Sequence, residues 1–314
     1  AMTKAYVEIV SVRLRLRKMA DGTSNAADLL ETIGPELNRL RKIAFTQEAI
    51  ASVNPEGLQR RGAAFLAATA HYVTLQAQRL VRLPDQDNVG PLTAGGIAPE
   101  VSATLLFLAA GASPDAAEMS RQIQVPDGLP MVERRLLQDI KRLATGDLDA
   151  LLADSSVPEA PSLEGDLTMA EVGASALYLM VQRCIRSIAT EVLGRPGYEP
   201  SLPELERVEA MCTQPVVQFL DRPGNSAFPG PRHLASLLKA VGRELPADSL
   251  ARLKAPPGVD ALLWNSGLAH IANARPYLWE NHRDAVAQGY LPPGVSAAIS
   301  FATGAGKSTL SELK

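Results

Sequence analysis

The chain has 314 residues, of which 46% are hydrophobic, 21% are charged and only 4% are aromatic, and its formal net charge is −3. This length and apolar content allow a sizeable core in about two domains, and the scarcity of aromatic residues favours packing between helices over a β-sandwich. The negative charge argues against a broad basic surface for nucleic acid, although it leaves room for a local patch.

The beginning of the chain does not resemble a secretory signal peptide. In residues 5–18 the basic residues follow the apolar ones, which is the reverse of the secretory order. No apolar run in the sequence reaches the ~18 residues of a membrane span. Cys184 and Cys212 form no metal or disulfide pattern and are expected to be buried free thiols in a reducing compartment. We therefore expect a cytoplasmic protein without membrane contact.

The alternating stretch VRLRLRK, residues 12–18, opens a series of basic clusters. Its period fits either a strand or the end of a basic amphipathic helix. If the first three predicted helices pack together, their basic residues could form one positive strip that contacts nucleic acid or a partner protein. The alternative is ordinary surface charge. The clustered residues are Arg13, Arg15, Arg17, Lys18, Arg39, Arg41, Lys42, Arg60 and Arg61, and the candidates for the contact are Arg13, Arg15, Arg17, Arg41 and Lys42.

The next predicted helix begins after Asn54 and Pro55, an N-cap residue followed by a first-turn proline, and ends before Pro84. Apolar residues recur along it at helical spacing and predict one buried face. The residues predicted to form that face are Leu58, Phe65, Ala68, Tyr72 and Leu75.

A second long helix is predicted to begin at Thr168 and Glu171, which have the spacing of a capping box. Gly194 and Pro196 follow the apolar run and supply the usual signals that end a helix. The first half of this helix is apolar nearly all round, so we expect it to lie at the centre of a bundle.

The fold predicted from these patterns is all-α, a multi-helix bundle with one short strand and a phosphate loop at its C-terminal end. Short Pro/Gly-rich linkers separate the helices and none is biased enough to predict disorder. The predicted units are an all-helical accessory domain over 1–272, with possible sub-bundles 1–155 and 156–272, and the incomplete start of an ATP-binding domain over 273–314.

The helical region carries no recognisable catalytic constellation. Its histidines are widely spaced, and no zinc-protease or nucleophile-elbow motif occurs. His71 lies on an Ala-rich helix, where a core histidine with a hydrogen-bond partner is expected rather than a metal ligand.

The stretch SFATGAGKST, residues 300–309, has the features of a phosphate-binding loop. Residues 295–301 alternate with period 2, which predicts a strand, and a helix is predicted from Lys307 onward, so that the loop has its usual strand–loop–helix context. Glycines let the backbone approach phosphate oxygens and point its N–H groups at them. The residues of the predicted loop are Thr303, Gly304, Ala305, Gly306, Lys307, Ser308 and Thr309.

Two residues of this stretch have specific predicted roles. Lys307 would place its ammonium on the β- and γ-phosphates, and Ser308 would offer its hydroxyl to Mg²⁺. The match is to the short T-G-x-G-K-[ST] form, because the longer pattern requires glycine where Phe301 stands. An incidental Gly-rich turn is the alternative.

The string TGAGKS after a predicted strand resembles motif I of superfamily 2 helicases, the DEAD/DEAH-box class. The segment upstream strengthens the resemblance, because Leu278, Trp279 and Ala285 match the aromatic segment that precedes motif I in that class. His282 stands where the family has the Gln that contacts the adenine edge, and a histidine offers a different donor–acceptor geometry. The resemblance covers only about 40 residues and implies ATP and Mg²⁺ as cofactors, with Trp279 and His282 near the base. The alternative for Trp279 is a core anchor between the bundle and the incoming domain.

The same resemblance implies the N-terminal portion of a larger ATP-dependent helicase or translocase that acts on DNA or RNA, in a setting such as bacterial anti-phage defence or repair. The acidic box that follows motif I in the family does not follow it here, so we expect this chain alone to bind no nucleotide tightly and to be inactive. The helical region would then guide nucleic acid or dock a partner protein. The alternative is a helical protein-interaction module with no nucleic-acid role. A stand-alone ATP-binding protein is disfavoured because no parallel sheet is predicted.

Overall fold

The computed structural model describes residues 2–19, 26–54, 56–81, 91–154, 168–197, 199–213, 227–301 and 306–314. Within these residues lie thirteen α-helices, one two-stranded sheet and two short 3-10 turns, Leu245–Asp248 and Leu250–Arg252. The helices are α1 Met2–Lys18, α2 Ala26–Val53, α3 Gly57–Val81, α4 Pro99–Ala109, α5 Ser113–Ser120, α6 Met131–Thr145, α7 Leu148–Ala153, α8 Met169–Val192, α9 Ser201–Thr213, α10 Pro229–Glu244, α11 Ala261–Ala274, α12 Glu280–Ala287 and α13 Lys307–Leu313. The all-α prediction is confirmed, and no helix in the described ranges is both long and apolar enough to cross a bilayer.

The predicted ends of α8 are confirmed. The Thr168 hydroxyl accepts a hydrogen bond from the Glu171 N–H at 3.3 Å, and the Glu171 carboxylate accepts one from the Thr168 N–H at 2.7 Å. This capping box satisfies two of the backbone donors that a helix leaves unpaired at its N-terminus. Gly194 follows the helix in the left-handed conformation, which glycine adopts without steric penalty.

Residues 12–18 belong to α1, so the helical alternative for the VRLRLRK stretch is confirmed and the strand is excluded. The buried residues of α1 are spaced three and four apart along the chain, as one face of a helix requires. They are Ala5, Ile9, Val12 and Leu16. Of the alternating apolar residues only Val12 and Leu16 are buried, whereas Leu14 is 53% exposed together with the basic residues, as helical spacing requires.

The buried face of α3 differs from the predicted one. Ala68 and Leu75 are buried as predicted, but Leu58 is 83% exposed and Phe65 is 42% exposed, and Tyr72 is only half-buried. The core side of α3 consists largely of alanines, together with Leu66 and Val73, and the small side chains let α2 and α4 pack closely against it. These alanines are Ala63, Ala64, Ala67, Ala68, Ala70 and Ala77.

Two hydrophobic clusters form the core. The smaller one joins α1, α2 and one side of α3. The larger one extends from the other side of α3 to α13 and includes Tyr277, Leu278 and Leu310. Residues on both sides of position 272 therefore contribute to one core. The division into domains over 1–272 and 273–314 stays a prediction.

The predicted strand over residues 295–301 is wrong. These residues form no regular secondary structure, and the only sheet in the described chain is a two-stranded antiparallel ribbon of β1 Leu92–Thr93 and β2 Gly96–Ile97. A strand is stabilised by hydrogen bonds to a neighbouring strand, and the described residues offer none to this segment. Period-2 alternation alone was therefore an insufficient signal.

Both cysteines are buried free thiols, as predicted. Burial raises the pKa of Cys184 to about 12 and that of Cys212 to about 11. Because the thiolate is the nucleophilic form, both residues are unreactive at neutral pH.

A buried polar cluster joins α2, α3 and α10. The Glu48 carboxylate contacts the Nε2 of His71 at 2.5 Å and the Nε2 of His233 at 2.8 Å, and Phe45 packs against both imidazoles. His71 is therefore a core histidine with a hydrogen-bond partner, as predicted. Burial alone would raise the pKa of Glu48, but the hydrogen bonds from His233 and His71 outweigh it and lower this pKa to about 2.

We predict that Glu48→Gln removes a pH-dependent part of the stability. The folded pKa of about 2 lies below the usual 4.5, so the contribution of Glu48 is fully present above pH 4.5 and is lost as the pH falls towards 2. Chemical denaturation should show a loss of about 2 kcal/mol at neutral pH, because a buried charged hydrogen-bond partner is removed.

The difference between the variant and the wild type should narrow steadily below pH 4.5. The matched control is Glu118→Gln, which alters a carboxylate that is exposed and paired with Arg121. A Glu48→Gln effect that stays constant from pH 6 to pH 2.5 would contradict this account.

Candidate nucleotide site

The backbone that leads into α12 is fixed at three points. The Pro276 carbonyl accepts a hydrogen bond from the Leu250 N–H at 2.8 Å, and the Leu278 N–H donates to the Asp248 carbonyl at 2.7 Å. Between them, the buried Tyr277 hydroxyl donates to the Leu143 carbonyl at 2.5 Å. The start of α12 is therefore held against the 3-10 turns and α6.

An arginine–carboxylate network fixes α12 from a second side. The Asp248 carboxylate is 2% exposed and accepts a bidentate pair of hydrogen bonds from the Arg61 guanidinium, each 3.0 Å long. It also contacts the Arg283 guanidinium of α12. Burial disfavours the charge of Arg61, but its hydrogen bonds to Asp248 and Glu244 outweigh this and raise its pKa. Every charge in the network is thus compensated.

The first turn of α12 carries a stacked aromatic pair. The Trp279 and His282 rings lie 5.3 Å apart between centroids at an interplanar angle of 8°. The backbone N–H of Trp279 donates a hydrogen bond to the Nδ1 of His282, at 3.3 Å. His282 is 1% exposed, so this imidazole is part of the interior.

The other nitrogen of His282 contacts the predicted phosphate loop. Its Nε2 lies 3.0 Å from the Gly306 carbonyl oxygen, which can only accept, so Nε2 carries the proton. Both ring nitrogens are therefore engaged with the backbone of the chain itself. In this geometry His282 positions Gly306, and it has no ring nitrogen directed at a base.

Gly306 is required at its position for two reasons. Its φ of 73° lies in the left-handed region that favours glycine. A Cβ there would also collide with the His282 imidazole and would lie 3.1 Å from the Cε3 of Trp279. The aromatic pair and the loop can approach each other only because residue 306 has no side chain.

The short helix α13 is tied to the rest of the molecule along its length. Leu310 and Leu313 are buried in the larger core cluster. Arg275 forms an ion pair with Glu312 at 2.9 Å, and the Lys314 ammonium donates to two backbone carbonyls in the segment 290–292. These contacts fix the direction of the first turn of α13.

The structure describes four of the seven predicted loop residues. Lys307 and Ser308 are exposed in the first turn of α13, whereas Thr309 is buried and donates its N–H to the Gly306 carbonyl. Thr303, Gly304 and Ala305 lie outside the described residues. Of the predicted cofactor-binding residues, Trp279, His282 and Gly306 are brought together, and Lys307 and Ser308 follow immediately.

This arrangement can bind an anion. The first N–H groups of a helix have no partner within the helix, and the exposed side chain of Lys307 belongs to the same turn of α13. Mg²⁺ at nucleotide sites takes only one or two protein oxygens and completes its shell with phosphates and water. The exposed hydroxyl of Ser308 fits such a role. Among the described residues no group of three His, Cys, Asp or Glu side chains could hold a metal ion by itself.

The basic residues of α1 and α2 are exposed but interleaved with carboxylates. Arg15 pairs with Glu36 at 2.7 Å, and Arg39 pairs with Glu8 at 3.8 Å. The exposed candidates are Arg13, Arg15, Arg17, Arg41 and Lys42. The exposed basic residues of α1 and α2 therefore form separate positive patches rather than one continuous positive strip.

Arg60 and Arg61 do not join that face. Both bind Glu244, at 2.8 and 2.9 Å, in a partly buried position next to α12. The sequence gives no sign of this contact, because the partners lie 183 and 184 residues apart and no motif connects them.

Comparison of the chain with protein-family models, with curated proteins and with solved structures finds no match.

We predict that Gly306→Ala loosens α13, because the new methyl group must displace the His282 imidazole. Gly258→Ala is the matched control, since Gly258 also has a positive φ, of 84°, but open space where its Cβ would lie. The backbone penalty of about 1–2 kcal/mol is common to both variants.

Only Gly306→Ala should accelerate amide hydrogen exchange at Leu310 and Leu313, as measured by NMR or mass spectrometry. Equal exchange of α13 in both variants would show that the contact between Gly306 and His282 does not hold the helix.

Proposed function

We propose that this chain is the helical N-terminal accessory region of an ATP-dependent DNA or RNA helicase or translocase, together with the first nucleotide-contacting segment of its motor. The setting proposed is cytoplasmic, in bacterial anti-phage defence or repair. Within it, residues 306–309 contact the nucleotide phosphates, and the helical region guides nucleic acid or docks a partner protein.

The contact between the aromatic pair and Gly306 carries this proposal. In the helicase class that the sequence resembles, the aromatic segment and motif I belong to one nucleotide site. Here Trp279 and His282 are 24 or more residues before Gly306 in sequence, yet they lie directly against it. An incidental Gly-rich turn would not need this contact.

The exposure of Lys307 and Ser308 supports the proposal further. Both side chains lie in the first turn of a helix whose other face is fixed in the core, so a bound phosphate would meet a pre-positioned set of donors. His282 departs from the family pattern, because its ring nitrogens hold the backbone. We therefore propose that this chain contributes phosphate contacts and little selectivity for adenine.

The second candidate function is a protein-interaction module. The helix α11 favours it, because only Leu268 and Ala272 of its 14 residues are buried, while Leu262 is 82% exposed and Leu263 is 75% exposed. Adjacent exposed leucines of this kind are typical of a surface that contacts another protein.

We predict that Mg·ATP binds weakly, in the millimolar range, and that it shifts the amide NMR signals of Lys307–Leu310. Lys307→Ala should weaken this binding about tenfold, because one charge-assisted contact to phosphate is worth about 1.5–3 kcal/mol. The control is Lys254→Ala, which removes an exposed lysine of the segment before α11. Unchanged affinity in Lys307→Ala would contradict the proposed phosphate contact.

We predict that a single-stranded oligonucleotide binds at low salt and that the triple variant Arg13→Ala, Arg15→Ala, Arg17→Ala weakens its binding. Each lost phosphate contact should also reduce the slope of log K against log salt by about 0.7. The control is the double variant Arg121→Ala, Arg207→Ala, which alters exposed arginines elsewhere. Absence of oligonucleotide binding at low salt would favour the protein-interaction module.

A further inference from the structure

A cleft of about 750 Å³ is lined in part by Arg283, Val286 and Ala287 of α12. It is open to solvent and lies between the end of α10, the two 3-10 turns and α12, with single residues from α3, α8 and α9 completing its wall. Its charged lining consists of four arginines and one carboxylate, namely Arg60, Arg243, Arg252, Arg283 and Glu191. We call this feature the arginine cleft.

The four arginines come from four different parts of the fold, and each is anchored. Arg60 binds Glu244 at 2.8 Å, and Arg283 contacts Asp248 from α12. Arg252 binds Glu191 at 2.9 Å. Arg243 donates to the Ser52 carbonyl at 3.0 Å. Anchoring of this kind reduces the conformational entropy that a ligand would otherwise have to overcome.

At two of the arginines the anchoring contacts use only part of the N–H donors of the guanidinium group. A guanidinium has five N–H donors in a planar fork, and Arg243 and Arg252 each use one of them in the described structure. Both side chains are exposed at the cleft. This donor geometry matches phosphate oxygens, which accept paired hydrogen bonds from guanidinium groups.

The rest of the lining is apolar. Leu253 and Val286 lie on the walls and Leu278 is buried behind them. The volume lies within the roughly 300–1,000 Å³ that is usual for small-molecule sites, and such sites combine apolar walls with a few fixed polar groups. An anion with an organic portion therefore fits the cleft better than a bare inorganic ion.

We propose that the arginine cleft binds a small phosphate-bearing molecule of nucleotide size, with the phosphates on Arg243 and Arg252 and the organic portion against the apolar wall. None of the residues of the candidate nucleotide site lines this cleft, so the proposal stands apart from the proposed function. The two places meet in residues 278–287, where Arg283 and Val286 line the cleft and Trp279 and His282 contact Gly306.

Isothermal titration calorimetry with inorganic pyrophosphate and with a nucleoside monophosphate tests the proposal. The titrations are run at low salt in the presence of EDTA, so that binding that requires Mg²⁺ does not contribute. The double variant Arg243→Gln, Arg252→Gln should weaken binding of both probes at least about tenfold, because two charge-assisted contacts are lost. A third titration, with inorganic phosphate, should show weaker binding than the nucleoside monophosphate, since only the latter also contacts the apolar wall.

Two controls separate binding in the arginine cleft from a general loss of positive charge and from binding at the candidate nucleotide site. The double variant Arg121→Gln, Arg207→Gln removes the same charge from exposed arginines that also pair with glutamates, and should bind both probes like the wild type. The second control adds Lys307→Ala to the wild type and to the cleft variant: the loss of binding caused by Arg243→Gln, Arg252→Gln should be the same in the presence and in the absence of Lys307→Ala. Circular dichroism confirms that each variant retains its helical content.

Three outcomes would overturn the proposal. The first is that neither probe binds, and the second is equal weakening in the cleft variant and in the Arg121, Arg207 control. The third is that a single-stranded oligonucleotide binds through Arg243 and Arg252 while pyrophosphate and the nucleoside monophosphate do not, which would make the cleft a nucleic-acid groove.

Discussion

One buried carboxylate determines how the last part of the described chain meets the helical bundle. Asp248 accepts two hydrogen bonds from Arg61 of α3 and contacts Arg283 of α12, and its backbone carbonyl accepts the Leu278 N–H. Removing one partner from such a buried ion pair typically costs about 3–5 kcal/mol, because the remaining charge stays buried without compensation. The orientation of α12 therefore depends on a contact between residues that are far apart in sequence.

Both places where a ligand is proposed to bind involve α12. The stacked Trp279 and His282 at its start hold Gly306, and Arg283 forms part of the arginine cleft. A shift of α12 would alter both at once, because helices packed in a core move as rigid units. The buried network thus fixes α12, and the contact between His282 and Gly306 connects α12 to the start of α13.

Sequence reasoning succeeded where the structure is determined locally. The start of α8 follows from the capping box of Thr168 and Glu171, which acts within four residues, and its end follows from Gly194. The helix from Lys307 onward is also confirmed, whereas the phosphate contacts of Lys307 and Ser308 stay a prediction. Sequence reasoning failed where contacts with residues distant in sequence determine the local structure. The alanine face of α3 depends on which helices approach it, the strand at 295–301 required a neighbour that the described chain does not supply, and the partners of Arg61 lie 183 and 187 residues away.

The most direct test of this account is amide hydrogen exchange in the isosteric variant Asp248→Asn. The account predicts faster exchange of the amides of residues 278–287 while the amides of α4 and α8 keep their protection, because the network holds α12 and does not hold the bundle core. Exchange of residues 278–287 at the wild-type rate would contradict the claim that Asp248 fixes α12.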